Sequence, residues 1–162
     1  MEQSKIAAKI VSAFPEALIP LEEATYLGIV PEKWETVAHF LRNDEELLFD
    51  SLMCLTGYDR GPGEDLGVAY NLHSMDKLHK LEIRVEVPRD GGVVPSVAHI
   101  WRIADWHERE VYDMYGIIFE GHPDLRRMLL PEDWVGHPLR KDYETPDYYA
   151  GIPVPKDKRG WE

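Results

Sequence analysis

A chain of 162 residues, 44% of them apolar, is long enough to form one domain around a single hydrophobic core. The formal net charge of −12 argues against the basic face that nucleic acid requires, so no nucleic acid is expected as a partner. A single cysteine, Cys54, excludes an internal disulfide and an iron–sulfur cluster held by this chain's own cysteines. No stretch approaches the roughly 18 apolar residues of a membrane span, and residues 1–14 lack the apolar core of a secretory signal. We therefore expect a soluble protein in a reducing, cytoplasmic setting.

The first part of the chain predicts helices and strands in alternation. Apolar residues recur at helical spacing over residues 6–14, and a proline ends this helix. Residues 24–30 predict a strand, and a second helix begins at Pro31, where the missing N–H has no cost. The apolar face of that helix consists of Trp34, Val37, Ala38 and Leu41. Residues 46–55 predict a buried strand, and the glycine-rich residues 56–65 predict a loop.

The middle of the chain predicts two further strands and two helices. Residues 68–72 alternate weakly, whereas residues 81–87 give the clearest period-two pattern, typical of a strand with one wet face. Ser96 is placed to cap a short helix that carries Trp101. Residues 105–115 predict a longer helix that ends at a glycine, and a short strand is expected after it.

Beyond Pro131 the chain changes character, because its prolines are expected to break any helix or ladder. Large aromatic residues lie among these prolines: Trp134, Tyr143, Tyr148, Tyr149 and Trp161. Leaving such side chains in water is unfavourable, so the segment either wraps its own domain or lies along a partner, and we favour a partner. The predicted division is an α/β domain over residues 1–130 and an extended partner-binding tail over residues 131–162.

Metal and nucleotide sites find little support in the sequence. His107 and Glu108 begin a His-Glu-x-x-His pattern, but Val111 stands where the second histidine should be. His99 and His107 could approach each other, yet no further ligand accompanies them. The glycine-rich residues 56–65 contain neither a phosphate-binding loop nor a dinucleotide fingerprint. We therefore assign no catalytic, cofactor-binding or metal residue.

The predicted helix before Gly116 and the segment after it hold the densest set of charges. Glu110 and Asp113 share one helix face, and Arg109 is placed to pair with Asp113 one turn away. Such groups can serve acid–base chemistry, but paired, buried charges more often fix an interface than run a reaction. Arg126 and Arg127 are adjacent, so on an extended segment they point to opposite sides. An internal ion pair with the helix and a contact to a partner remain equal alternatives for these arginines.

Residues 94–143 resemble the signature of the C subunit of the respiratory NADH–quinone oxidoreductase, complex I, the family of the mitochondrial 30-kilodalton subunit. The resemblance is carried by Glu108-Arg109-Glu110, Asp113-Met114-Tyr115, His122, Arg126 and Met128-Leu129. Residues 96–107 are similar to the lead-in of the signature, and residues 130–143 are similar to its closing segment. Asp105 stands where the family pattern leads us to expect asparagine, and the N-terminal half carries no diagnostic motif.

The resemblance implies an α+β fold: a two-layer α/β domain with a mixed β-sheet, followed by an extended C-terminal segment rich in proline and aromatic residues. It implies a structural subunit, not catalytic alone, in the peripheral arm of a proton-translocating oxidoreductase. This subunit would lie at the cytoplasmic face of the bacterial inner membrane. No cofactor is expected on this chain, because FMN, the iron–sulfur clusters and quinone belong to partner subunits. The chain ends at Glu162, which we interpret as the form that is not fused to its large neighbour.

The implied partners are the quinone-site large subunit, which is of the D type, and the cluster-bearing B and I subunits. The membrane would be reached only through the complex. The residues predicted to form the partner interface are Glu108, Arg109, Glu110, Asp113, His122, Arg126, Arg127, Trp134, Arg140, Lys141 and Tyr143.

Three alternatives stay open. One is the equivalent subunit of a membrane-bound hydrogenase or of a ferredoxin- or coenzyme F420-linked quinone reductase. Another is an independent hydrolase that depends on Glu108, Glu110 and Asp113. The last is a free-standing adaptor.

Overall fold

The computed structural model describes residues 2–19 and 25–154. The helices are α1 (Gln3–Ala13), α2 (Trp34–Asn43) and α3 (Ala104–Tyr115), and a 3₁₀ turn, Pro31–Lys33, precedes α2. The strands are β1 (Leu18–Ile19), β2 (Leu27–Ile29), β3 (Ser51–Asp59), β4 (Leu66–Ser74), β5 (His79–Val87), β6 (Val93–Pro95), β7 (Ile118–Glu120), β8 (Tyr148–Tyr149) and β9 (Ile152–Pro153). Ala24, Pro155 and Trp161, which belong to predicted features, lie outside the described residues.

The main sheet has the strand order β1-β2-β5-β4-β3. Strands β3, β4 and β5 form an antiparallel meander, and β2 pairs in parallel with β5. A smaller parallel pair joins β6 to β7, which brings the segment before α3 next to the segment after it. Residues 66–70 of β4 are buried without alternation, as is typical of a strand covered on both faces. The predicted α+β fold with a mixed sheet is confirmed.

The core forms where the helical spacing predicts it. Trp34, Val37, Ala38 and Leu41 on α2 are all fully buried. The Trp34 ring lies 4.4 Å from the Tyr70 ring of β4 and 6.5 Å from the Trp101 ring, centroid to centroid. Each large apolar side chain buried in this way contributes roughly 1.5–3 kcal/mol, so this cluster fixes α2 on the sheet. None of the helices in the described ranges combines the length and the apolar character that a membrane crossing needs.

Strand β3 starts later and ends later than predicted. Residues 46–50 are not strand, because the Asp44 carboxylate accepts the N–H groups of Glu46 and Leu47 and folds this stretch into a turn. The expected loop is strand up to Asp59, and only residues 60–65 connect β3 to β4. Gly57 belongs to the strand and lies against α3. A Cβ atom at Gly57 would stand 2.5 Å from the Tyr115 ring, so glycine is required here for close packing of α3 on the sheet.

Gly57→Ala is expected to lower the free energy of unfolding by about 1–3 kcal/mol, because the added methyl group overpacks the contact with Tyr115. Chemical denaturation of the purified chain measures this loss. The double variant Gly57→Ala, Tyr115→Leu provides the control, since shortening the ring should make the alanine less costly than it is beside tyrosine. An equal cost in both backgrounds would show that ring contact is not what requires glycine.

Two smaller predictions were wrong. Residues 98–103 form turns and a bend, not a helix, although Trp101 N–H does reach the Val97 carbonyl at 2.9 Å. The Ser96 hydroxyl and the Val97 N–H are both bound to a carboxylate of α3, which holds this segment against that helix. Prolines do not abolish every ladder beyond residue 131 either, since Pro153 lies in β9 and faces Tyr148 of β8.

Candidate partner-docking site

Asp113 is fully buried on α3 and organises the segment that follows β7. Its Oδ2 accepts the backbone N–H groups of Met128 at 3.1 Å, Leu129 at 2.8 Å and Leu130 at 3.0 Å. Its Oδ1 accepts a hydrogen bond from Arg127 Nη1 at 2.7 Å. Burial alone would raise the pKa of Asp113, but the three backbone donors and Arg127 together hold it below its ordinary value. The carboxylate is therefore an ionised anchor for residues 127–130.

Arg126 and Arg127 point to opposite sides, as their adjacency predicts. Arg127 turns inward, where it pairs with Asp113 and donates from Nη2 to the Gly136 carbonyl at 3.0 Å. Its side chain is only 14% exposed, so the internal ion pair is the correct alternative for Arg127. Arg126 is 65% exposed and pairs with the exposed Asp124. Of the two, Arg126 is the arginine that faces outward.

The predicted pair between Arg109 and Asp113 does not form. Arg109 Nε instead donates to the Arg126 carbonyl at 3.3 Å, and its guanidinium lies 5.4 Å from the centroid of the Trp106 ring. The oxygens of Asp113 are already occupied by the loop and by Arg127, which leaves Arg109 on the outer side of α3. Trp106 is 61% exposed and Glu110 is also exposed, so one face of α3 presents an aromatic ring between charges.

Glu108, which was predicted at a partner interface, is buried inside the chain. Its carboxylate accepts the Ser96 hydroxyl at 2.6 Å and the Val97 N–H at 2.8 Å, which ties α3 to the segment after β6. Burial raises the pKa of Glu108 to about 7, the neighbouring Asp105 adds to this, and the two hydrogen bonds oppose it.

His122 is also an internal residue, with a fully buried side chain whose Nε2 lies 3.9 Å from Glu108 Oε2. Its Nδ1 accepts the Asp124 N–H at 3.0 Å, so the ring proton sits on Nε2 and is donated to the Asp105 carbonyl at 3.1 Å. Buried in this way, the side chain joins the turn after β7 to the start of α3. Like Glu108 and Asp113, it supports the neighbouring segments from within the chain.

The C-terminal end of α3 is closed by the tail. The last carbonyls of a helix have no partner within it, and three of them are satisfied here by later residues. The bonds run from His137 Nδ1 to Asp113 O at 3.0 Å, from Leu139 N–H to Met114 O at 3.2 Å and from Arg140 Nε to Tyr115 O at 2.6 Å. Arg140 also places a cation at the negative end of the helix dipole. Burial lowers the pKa of His137, which favours the neutral ring.

A second set of bonds fixes the tail to the main sheet. The Asp59 carboxylate at the end of β3 binds Arg89 and accepts the Lys141 N–H at 2.8 Å. Arg89 also reaches Asp142 at 2.9 Å, and Lys141 Nζ donates to the Arg60 carbonyl at 3.2 Å. Burial would raise the pKa of Asp59, but Arg89 and the backbone donors outweigh it and lower that pKa.

Residues 137–142 are thus wrapped on their own domain, which is the alternative we did not favour for the tail. Arg140 and Lys141 are internal anchors in this arrangement. Trp134 and Tyr143 are half-buried and joined by a hydrogen bond from Trp134 Nε1 to the Tyr143 hydroxyl at 3.1 Å. The Trp134 ring also lies 5.0 Å from the Tyr149 ring, so the aromatic residues of the tail shield one another.

The side chains that are not used in these internal contacts form an outer surface that is accessible to a partner. We call it the docking surface: the outward side chains of α3 and of the segments bound to it, namely Trp106, Arg109, Glu110, Arg126, Leu129, Val135 and Leu139. Its apolar members Leu129, Val135 and Leu139 are all more than half exposed. They follow residues that are held rigidly, since Leu129 N–H binds Asp113 and Leu139 N–H binds Met114. Large apolar side chains on a rigid frame with a charged rim are typical of protein-binding surfaces.

Sequence reasoning named three members of this surface and missed the apolar ones. Arg109, Glu110 and Arg126 were predicted, whereas Trp106 was not among the predicted interface residues. Val135 and Leu139 carry no periodic pattern, so nothing in the sequence marks them as exposed.

The comparisons with known proteins agree with the resemblance. The family model described as respiratory-chain NADH dehydrogenase, 30-kDa subunit, matches residues 27–149. The C subunit of the NADH-quinone oxidoreductase of Chloroherpeton thalassium is 54% identical over 125 residues, which cover 76% of this chain and 52% of that protein. The chain thus spans about half the length of that relative. The corresponding C subunit of Chlorobium phaeobacteroides is 50% identical over 125 residues, covering 76% of this chain and 75% of that protein.

Two solved structures share the fold. The trypsin-resistant fragment 1–134 of Nqo5 superposes with a TM-score of 0.60 at 28% identity, covering 76% of this chain and 100% of the fragment. A chain of the membrane-bound sulfane sulfur reductase, an archaeal respiratory membrane complex, gives a TM-score of 0.70 at 21% identity, covering 87% and 85% of the two chains. At that identity the second likeness concerns the fold alone. From the match over residues 27–149 and the two closely similar bacterial relatives, this chain belongs to the family of the 30-kDa subunit of respiratory-chain NADH dehydrogenase.

Proposed function

We propose that the chain is a cofactor-free structural subunit of the peripheral arm of a proton-translocating NADH–quinone oxidoreductase, and that it docks on the quinone-site large subunit. In this proposal electrons pass from NADH through FMN and iron–sulfur clusters of other subunits to quinone, and never reside on this chain. The observation that carries the docking role is the buried Asp113, whose bonds to Arg127 and to the backbone of residues 128–130 hold the docking surface rigid. A rigid surface reduces the entropy that association costs.

The proposed partners are a D-type large subunit and the cluster-bearing B and I subunits. The chain would lie at the cytoplasmic face of the bacterial inner membrane and would reach the membrane only through these partners. Support comes from its family and from the outward Trp106, Leu129 and Val135, which would be buried by such a neighbour.

The carboxylates give the hydrolase alternative little support. Glu108 and Asp113 face the interior, where each already accepts hydrogen bonds from its own chain. Glu110 is exposed whereas the other two are buried, so these three carboxylates do not converge on a shared cleft. General acid–base work needs such convergence on a substrate. The alternative of a different respiratory assembly is kept as an outcome of the experiment, because the fold occurs in an archaeal respiratory membrane complex.

Trp106→Ala and Arg126→Ala are expected to reduce assembled complex and NADH–quinone activity together, because both side chains belong to the docking surface. An aromatic or arginine centre of an interface commonly contributes 2 kcal/mol or more, which is roughly a 30-fold loss of affinity. Arg140→Ala should act in the same direction by freeing the tail from the Tyr115 carbonyl. Native gels and activity assays on gently solubilised host membranes measure both quantities.

Met75→Ala serves as the matched control, because Met75 is 62% exposed and lies outside the docking surface. It should leave assembly unchanged. Normal assembly with lost turnover in Trp106→Ala or Arg126→Ala would contradict the docking role of that residue. Mass spectrometry of the proteins that co-purify with the wild-type chain separates the assemblies: hydrogenase subunits in place of NADH-oxidising subunits would change the reaction but keep the structural role.

A further inference from the structure

Glu35, His39 and His99 bring three potential metal-ligand atoms together on the surface. Glu35 and His39 lie one turn apart on α2, and His99 belongs to the turns between β6 and α3. His99 Nε2 is 3.1 Å from His39 Nε2 and 3.2 Å from Glu35 Oε1, and all three ligand atoms lie within 4.8 Å of one another. None of these three residues belongs to the docking surface. His99 lies in the lead-in of the family signature, and Glu35 and His39 lie outside the signature.

The separations at His99 Nε2 are compatible with a bound metal ion as well as with hydrogen bonds. Zinc binds imidazole nitrogen and carboxylate oxygen at about 2.0–2.2 Å, so two ligand atoms of a tetrahedral ion are about 3.3 Å apart. The two separations at His99 Nε2 are within a few tenths of an ångström of that value. The third separation, between the ligand atoms of Glu35 and His39, is within 4.8 Å, and all three side chains are exposed and free to close around an ion.

Protons cannot satisfy the cluster well. If His99 Nε2 carries the proton and donates it to Glu35, it has no lone pair to accept a bond from His39. If His39 Nε2 donates to His99 instead, the His99 lone pair faces the negative carboxylate. One N–H can serve both neighbours only as a bifurcated donor. A divalent cation attracts all three lone pairs at once and removes this conflict.

We propose that Glu35, His39 and His99 form a binding site for one divalent transition-metal ion of the Zn²⁺ class. Two imidazoles and a carboxylate are a donor set that suits zinc, nickel and copper, whereas magnesium and calcium require more oxygen ligands. The fourth position stays open to water. Bound metal joins α2 to the segment that leads into α3, and so links residues 60 positions apart in the chain. His107, which the sequence placed near His99, is occupied elsewhere by its bond to the Leu55 carbonyl at 3.0 Å.

The test is a Zn²⁺ titration of the full chain, prepared without a histidine tag and stripped of metal with a chelator. Calorimetry is expected to give one Zn²⁺ per chain, with an affinity that falls roughly tenfold or more in His39→Ala, in His99→Ala and in Glu35→Gln. His73→Ala is the control and should bind as the wild type does. Co²⁺ reports the geometry independently, because a four-coordinate site gives intense visible bands that a hydrated ion does not.

The thermal midpoint provides a second readout, since a ligand that binds only the folded chain raises it. Zn²⁺ should raise the midpoint of the wild type and of His73→Ala, but not that of the double variant His39→Ala, His99→Ala. Circular dichroism confirms that the variants fold, as expected for exposed positions. Equal Zn²⁺ affinity in the wild type and the double variant, no stoichiometric binding by the wild type, or equal binding of Mg²⁺ would each overturn the proposal.

Discussion

Replacing Asp113 by alanine is expected to lower the free energy of unfolding by about 3–5 kcal/mol, the loss that follows when one partner of a buried ion pair is removed. The reason is the number of groups that depend on one carboxylate. Arg127 would lose its counter-ion, and the backbone N–H groups of residues 128–130 would lose their acceptor. Because these groups support Leu129 on the docking surface, assembly should fail as well.

Urea denaturation of the purified chain measures the stability, and native gels of host membranes measure assembly. Asp124→Ala is the matched control: Asp124 also pairs with an arginine, but both side chains are more than half exposed, so the loss should stay below about 1 kcal/mol. If Asp113→Ala proved no more destabilising than Asp124→Ala, the carboxylate would not be the anchor of residues 127–130.

Glu108 is expected to make the stability of the chain depend on pH between about 4.5 and 7. Burial raises the pKa of its carboxyl from 4.5 to about 7, so the folded chain holds this proton more tightly than the unfolded chain does. The resulting stability is fully present below pH 4.5 and is lost as the pH rises through 7. The interval between the two pKa values corresponds to about 3 kcal/mol. The titratable neighbours are Asp105 and His122, which face the same carboxylate.

Glu108→Gln removes this titration while keeping an oxygen for the Val97 N–H. The unfolding free energy of the variant minus that of the wild type should increase between pH 5 and pH 7. Above pH 8 this difference should stay constant. Unfolding free energies from denaturation series at several pH values test this. Glu110→Gln, an exposed change two positions away on α3, should leave the pH dependence as it is in the wild type. Parallel curves for Glu108→Gln and the wild type would show that the carboxyl does not titrate in this range.

Sequence periodicity located the elements that depend on a single buried face. The spacing of Trp34, Val37, Ala38 and Leu41 identified the buried side of α2, and the alternation over residues 81–87 identified β5. Gly116 marked the end of α3 correctly, since its φ of 75° is the left-handed conformation that glycine adopts freely. These patterns depend on residues close together in the sequence, so they can be recognised without knowledge of the tertiary contacts.

The remaining errors come from contacts between distant residues. Glycine at position 57 indicated a loop, because nothing in the sequence shows that Tyr115 packs on that strand position. Glu108 and Arg109 were treated alike as charged helix residues. Glu108 is in fact buried against Ser96, whereas Arg109 lies on the outer side of α3. The bonds of Arg140 to α3 and of Lys141 to Asp59 span 25 and 82 positions and leave no pattern in the sequence, so they were not anticipated.

The candidate metal site illustrates the same division between local and distant information. Glu35 and His39 stand four positions apart, a spacing that places two ligands on one helix face and is visible in the sequence. The third ligand is 60 positions away from His39, so only the fold identifies His99 as its neighbour.

The bonds that close the C-terminal end of α3 can form only after the later residues that make them have been synthesised. A growing polypeptide contains α3 well before it contains His137, Leu139 and Arg140, so the terminal carbonyls of the helix face water until those residues have been synthesised. The docking surface thus becomes complete late in translation. A polypeptide interrupted between residues 116 and 137 would present an unfinished helix end and would lack Leu139, so under the proposed docking role it would offer a partner an incomplete surface.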